Sequence, residues 1–126
     1  MIFVDADVFM YAVGRNHPLR MPSRQFFTIS RVSSVPLCTS AEVLQELMHA
    51  FISANRQARL DAALRLAGDA CGQIWDVEVA DVRLAHTLQP SYSGLSSRDL
   101  VHVASCRRRD VREIKTWDRG LAAAFG

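Results

Sequence analysis

The feature that most restricts this chain is a set of short β-rich runs, each separated from the next by helical sequence. They are Ile2-Phe3-Val4, Val35-Pro36-Leu37-Cys38, Ile74-Trp75-Asp76-Val77 and Glu113-Ile114-Lys115-Thr116. The first is apolar throughout and lacks the in–out alternation of a strand that faces water on one side, so it reads as buried on both faces. Pro36 weakens the second run, because proline has no N–H to give to a ladder. Between and after the runs, the sequence predicts helices over residues 8–13, 21–31, 39–54, 57–70, 79–88, 96–109 and 119–125. Gly14 and Pro18 end the first of these, Pro90 stops the fifth, and residues 89–95 read as a loop. Short strands alternating with helices indicate parallel pairing, since a parallel neighbour is reached only through a crossover. The expectation is an α/β fold of one domain, residues 1–126. Its central parallel sheet would have four to five short strands, with helices on both faces.

Sheets of this kind place their sites in the crevice beyond the carboxyl ends of the strands. Acids just after strands are therefore the ones to weigh. Asp5 follows the first strand directly, and Asp7 is two residues on. Asp118 follows the last strand, in Thr116-Trp117-Asp118. Asp99 opens the helix after the loop, and Glu42 and Glu46 lie in the helix after the second strand. Helix capping is the competing use for several of them. Asp7 and Asp118 could each cap the helix that follows, while Ser96-Ser97-Arg98-Asp99 and Thr39-Ser40-Ala41-Glu42 have the form of capping boxes. For Asp5 that alternative is weakest, because a carboxylate ending a buried strand is costly unless paired or bound to a cation. Asp99 falls just outside the apolar arc of Leu100, Val101, Val103 and Ala104, where it can turn into a crevice at the sheet edge. Glu46 sits on the polar side of the arc formed by Val43, Leu44, Leu47, Met48, Phe51 and Ile52, and the helical wheel alone assigns it to solvent.

Cys38, Cys71 and Cys106 stand far apart and form neither a zinc pattern nor a disulfide framework. His17, His49, His86 and His102 are equally scattered, and all seven side chains read as buried or partly buried neutral groups. A bound metal would then draw on carboxylates. Between Leu95 and Arg119, seven basic residues (Arg98, Arg107, Arg108, Arg109, Arg112, Lys115 and Arg119) face Asp99, Asp110, Glu113 and Asp118. That local excess suits either a face that attracts a polyanion or a solvated helix surface. Hydrophobic residues are 49% of the chain and charged residues 22%, a composition that supports a core and argues against disorder. No run approaches the roughly 18 apolar residues of a membrane span. The opening stretch lacks a basic leader and is interrupted by Asp5 and Asp7, so no signal peptide is expected and the location expected is cytoplasmic.

Four segments together resemble the PIN-domain family along nearly the whole chain. Ile2-Phe3-Val4-Asp5-Ala6-Asp7-Val8-Phe9 is similar to its first motif, and Thr39-Ser40-Ala41-Glu42-Val43-Leu44-Gln45-Glu46-Leu47 to its second, with the acid at Glu46. Leu95-Ser96-Ser97-Arg98-Asp99-Leu100-Val101-His102-Val103-Ala104 resembles the third, with the acid at Asp99, and Ile114-Lys115-Thr116-Trp117-Asp118-Arg119 the last. Each motif is weak alone; four in order, at fitting intervals, are specific. Within the family the chain looks most like VapC-type toxins. The resemblance implies a metal-dependent ribonuclease in which Asp5, Glu46, Asp99 and Asp118 converge on one or two Mg²⁺ or Mn²⁺ ions. Asp5 and Asp99 would ligate directly, and Glu46 and Asp118 directly or through water. Thr116 would steady Asp118, and Arg119 would contact phosphate. It also implies an RNA substrate, a cognate antitoxin and a homodimer. Asp7 departs from the pattern, since the family usually has a neutral polar residue there.

Two other readings share these residues. Asp5-Ala6-Asp7-Val8 after a strand also resembles the opening of haloacid-dehalogenase-type phosphatases, with Asp5 as nucleophile, Asp7 as acid/base, Thr39 or Ser40 as the hydroxyl and Lys115 as the lysine. There, however, only Asp118 follows Lys115, and the chain is short for that family. An RNA-processing nuclease of the same family, unconnected with an antitoxin, is the other alternative.

Overall fold

In the computed structural model, which describes residues 1–126, the strands are β1 (Ile2–Val4), β2 (Leu37–Ser40), β3 (Gln73–Trp75) and β4 (Glu113–Lys115). The helices are α1 (Ala6–Val13), α2 (Arg20–Val32), α3 (Ala41–Ser53), α4 (Gln57–Ala70), α5 (Val79–Leu88), α6 (Ser97–Arg108) and α7 (Arg119–Ala123). The four strands pair in parallel in the order β3-β2-β1-β4. The register sets Ile2 beside both Leu37 and Glu113, and Ser40 beside Trp75. As a result the carboxyl ends of β2, β1 and β4 lie side by side.

Chain direction decides which helices share a face. The first two crossovers step outward from β1 to β2 to β3, and the third returns across the sheet to β4. With right-handed crossovers, α1 to α4 cover one face and α5 and α6 the other. The expected layering is therefore met, with four strands. Phe3, Val4, Val8, Phe9, Val43 and Leu47 are fully buried in a core that runs from the sheet into α1, α3 and α4. Truncating one such phenylalanine to alanine would cost about 3–5 kcal/mol.

The bounds of β2, β3 and β4 differ from the sequence reading, β4 stopping at Lys115, one residue before Thr116. Pro36 stays outside β2, as its missing N–H requires, although its carbonyl accepts from Ile2 N at 3.0 Å. The strand instead continues through Thr39 and Ser40, residues in which the sequence predicts the helix start. Thr39 Oγ1 donates to the Val4 carbonyl at 2.9 Å, and Ser40 caps α3 with no side-chain bond, so Thr39-Ser40-Ala41-Glu42 is not a capping box. β3 begins at Gln73 and stops at Trp75, earlier than expected, and residues 89–92 of the predicted loop form a 3-10 turn.

The α5–α6 pair is latched by an acid that the sequence reading passed over. Asp81 is fully buried. It accepts from Arg108 at 2.8 Å, from Arg109 at 2.9 Å and, through Oδ2, from Glu78 N at 2.9 Å. Burial works against its charge, but these bonds outweigh it and hold the carboxyl below the usual carboxylate range. Arg109 also stacks over Trp75 at 4.8 Å and reaches Glu78, tying the end of α6 to the strand edge. Much of the predicted basic excess is thus spent on contacts within the chain. Arg108 and Arg109 hold Asp81, Arg112 pairs with Asp110, and Arg107 donates to the Tyr92 hydroxyl.

Candidate metal centre

The site begins with the way β1 hands over to α1. Asp5 leaves the strand in extended geometry and caps the helix, its Oδ1 accepting from Ala6 N at 2.8 Å. Its Oδ2 accepts from Thr116 Oγ1 at 2.7 Å, and its backbone N–H donates to Lys115 O at 3.0 Å. Asp5 is therefore the α1 cap, the role the sequence offered to Asp7. Asp7 points instead at the turn after β4, where its Oδ2 accepts from Trp117 N at 3.0 Å and from Thr116 Oγ1 at 3.3 Å. Its Oδ1 is buried without a partner.

Thr116 links three acids. Besides donating to Asp5 and Asp7, its oxygen accepts from Asp118 N at 3.0 Å. Asp118 itself is exposed, and its Oδ1 accepts from Leu121 N at 3.1 Å as the cap of α7. The expected capping role and a place at the rim of the acid cluster coexist in this residue. Arg119 is exposed at the first position of α7.

Glu46 and Asp99 arrive from the other helices. Ser96 Oγ caps α6 by accepting from Asp99 N at 3.2 Å, which leaves the Asp99 carboxylate free to face the cluster. Glu46 is turned inward, contrary to the helical wheel. The polar side of α3 does not meet water there, because α6 packs against it and His102 Nε2 bonds Glu46 Oε1. His102 is fully buried, its ring 5.3 Å from that of Phe3, and its Nε2 stands 3.8 Å from Asp5 Oδ1. His102 is buried, as expected, but it also touches the acids of the site, whereas His49 and His86, expected to be at least partly buried, are exposed. The signal for His102 was its place one helical turn after Asp99, on the same face. Glu42, the other acid of α3, faces Arg98 at 3.9 Å.

The electrostatics are those of acids held too close for comfort. Burial pushes the Asp5 carboxyl above its usual value, against the pull of His102 and Thr116. Burial and then the charge of Asp5 push Asp7 up to about 7. Burial, followed by Asp5, raises Asp99, where Asp118 and Glu46 are also felt. For His102 burial opposes protonation, but the bond to Glu46 and the charges of Glu46, Asp5 and Asp99 win and raise it. Mutually raised carboxyls in a crevice mark a place where a cation would be welcome. Asp5, Glu46 and His102 present ligand atoms within 4.8 Å of one another. The oxygen-rich donor set and the orphaned Asp7 Oδ1 fit a hard divalent cation. Cys38, Cys71 and Cys106 are all free and buried, and none joins the site.

Comparison with known proteins agrees with this architecture. The family model for the PIN domain matches residues 2–125. Ribonuclease VapC23 of Mycobacterium tuberculosis is 54% identical over 125 residues, covering 99% of this chain and 98% of its own. Ribonuclease VapC13 of the same organism is 30% identical over 121 residues, covering 96% and 92%. The crystal structure of Mycobacterium tuberculosis VapC20, described as a toxin that cleaves the sarcin–ricin loop, superposes with a TM-score of 0.76. At 18% identity and coverage of 98% and 95%, it speaks for the fold. A parallel four-stranded sheet with acids gathered at its carboxyl edge, a full-length family match and a 54% identical relative together place this chain in the PIN-domain family, among the VapC proteins.

Proposed function

We propose that this protein is a divalent-cation-dependent endoribonuclease and the toxin of a toxin–antitoxin pair. The observation that carries the reading is the approach of Asp5 and Glu46 to one buried point beside His102, with Asp99 on α6 close enough for their charges to raise its carboxyl. Relatives named as VapC ribonucleases over nearly their full length support the RNA substrate and the antitoxin. Exposed apolar side chains such as Ile29 and Val32 on α2, and Val79 and Val82 on α5, leave surface for an antitoxin and for a second copy in a homodimer.

Asp5 and Asp99 would hold Mg²⁺ or Mn²⁺ directly, with Glu46 and Asp118 as direct or water-bridged ligands. When bound, the metal supplies charge neutralisation at the phosphate and a water acidic enough to attack it. The chain does the rest by positioning. Thr116 holds Asp5 and the Asp118 backbone in one register, and Asp7 pins the same turn through Trp117 N. Glu46 and Asp118 orient the attacking water. Arg119, exposed beside Asp118, is placed to meet a phosphate on the incoming strand. The phosphatase alternative loses its lysine, since the Lys115 ammonium lies 4.1 Å over the Trp117 ring.

The test is a structured RNA pool incubated with the purified protein, with and without Mg²⁺ or Mn²⁺, beside Asp99→Asn. Cleavage that needs metal and falls by at least about 100-fold in the variant is expected, the cost of losing a group that acts on the transition state. Intact RNA with hydrolysis of p-nitrophenyl phosphate, unaffected by Asp99→Asn, would replace the nuclease with a phosphatase. A co-purifying small protein that silences cleavage would separate a toxin from a processing nuclease.

A further inference from the structure

We infer that His102 is a positioning residue for Glu46: a buried hydrogen-bond donor that turns this carboxylate into the acid cluster, rather than a metal ligand in its own right. The inference rests on reading the cluster as the cation site, and it goes beyond the four acids. His102 is fully buried, and its ring is fixed by the α6 backbone and by Phe3 at 5.3 Å. Its Nε2 bonds Glu46 Oε1 and lies farther, 3.8 Å, from Asp5 Oδ1. Without that donor Glu46 has no reason to face inward, since its place on α3 belongs to the polar side.

The other ring nitrogen separates donor from ligand. Nδ1 is buried with no partner. A metal ligand must present a bare Nε2, which puts the neutral ring's hydrogen on Nδ1 and buries an N–H with nothing to accept it. The tautomer with hydrogen on Nε2 orphans no N–H and donates to Glu46. Carboxylates that ligate metals are held by such donors, and losing one costs about 10–100-fold in metal affinity.

Mn²⁺ titration by calorimetry of the wild type, His102→Leu, His102→Gln, Glu46→Gln and the Glu46→Gln/His102→Leu double variant tests this. Long-range ¹⁵N histidine spectra of the metal-free wild type accompany it. His102→Leu is expected to lose about 10–100-fold in Mn²⁺ affinity. His102→Gln, whose amide still donates, recovers most of that loss. In the Glu46→Gln background His102→Leu costs nothing further, because His102 acts through Glu46. The spectra place the hydrogen on Nε2. Equal Mn²⁺ affinity for the wild type and a folded His102→Leu overturns the role. So does an equal loss in both backgrounds, or a bare Nε2. Absence of Mn²⁺ binding by the wild type would instead sink the metal-site reading, with the spectra still deciding whether His102 donates to Glu46.

Discussion

Replacing Asp7 by asparagine preserves an oxygen that can accept from Trp117 N and Thr116 Oγ1, and removes the charge. The folded carboxyl is pushed up to about 7 from its usual 3.8, burial being the larger cause and Asp5 the next. A raised acid stabilises the fold only while it stays protonated. The cost of ionising it is absent below pH 3.8, grows as pH rises, and is complete above about 7. At about 1.4 kcal/mol for each tenfold, the full cost has a ceiling of about 4 kcal/mol. Partial exposure of Asp7 screens this, so about half is a fair expectation. The amide NH₂ would occupy the site of the unpartnered Oδ1 and costs something at every pH, so the change with pH is what identifies the charge. Urea unfolding in EDTA should show the stability of Asp7→Asn relative to wild type rising by about 1–2 kcal/mol between pH 5 and pH 8. Saturating Mg²⁺ should shrink that gain, because the cation relieves the same repulsion in the wild type. A difference that is flat with pH would refute the assignment of Asp7 as a buried, crowded carboxylate.

Other perturbations have equally definite outcomes. Asp81→Ala leaves Arg108 and Arg109 without their shared acceptor. Because both are partly exposed, the loss should sit near the low end for a broken buried pair, about 2–3 kcal/mol, read as a lower urea midpoint. Thr116→Val removes the hydroxyl whose one hydrogen is shared between Asp5 and Asp7 and whose oxygen accepts from Asp118 N. RNA cleavage should fall about 10–100-fold while circular dichroism stays native, and unchanged cleavage would show that Thr116 positions nothing. Burial raises all three thiols, Cys38 and Cys71 to about 12, so a thiol reagent at pH 8 should label none until denaturant is added.

Most of the layering was legible because its cause is local. An apolar run as short as Ile2-Phe3-Val4 has few places to go but a sheet interior, and Gly and Pro mark most helix ends. The β2 boundary was missed because Thr39 and Ser40 suit a helix start as well as a strand end, and only the bond from Thr39 to Val4 decides between them. At the site, Asp5, Asp7, Asp99 and Asp118 could be picked out as acids near strand ends or helix starts. Glu46 could not be chosen by geometry, since the helical wheel knows one helix and the partner that turns Glu46 inward stands on another. His102 was hidden for the same reason, although its spacing from Asp99 held the clue. From the sequence the arginines of α6 suited either a polyanion-attracting face or a solvated helix surface, and the buried Asp81 that claims two of them lies 27 and 28 residues away along the chain.

The central claim is that the acid cluster holds the cation on which RNA cleavage depends. Anomalous diffraction from crystals soaked in Mn²⁺ tests it most directly, on protein shown in solution to cleave RNA only when Mn²⁺ is present. The account predicts a Mn²⁺ peak bounded by Asp5 and Asp99, with carboxylate oxygens at about 2.0–2.3 Å and Glu46 and Asp118 in contact directly or through one water. A Mn²⁺ peak that lies elsewhere on an active protein, with Asp5 and Asp99 free of metal, would contradict it.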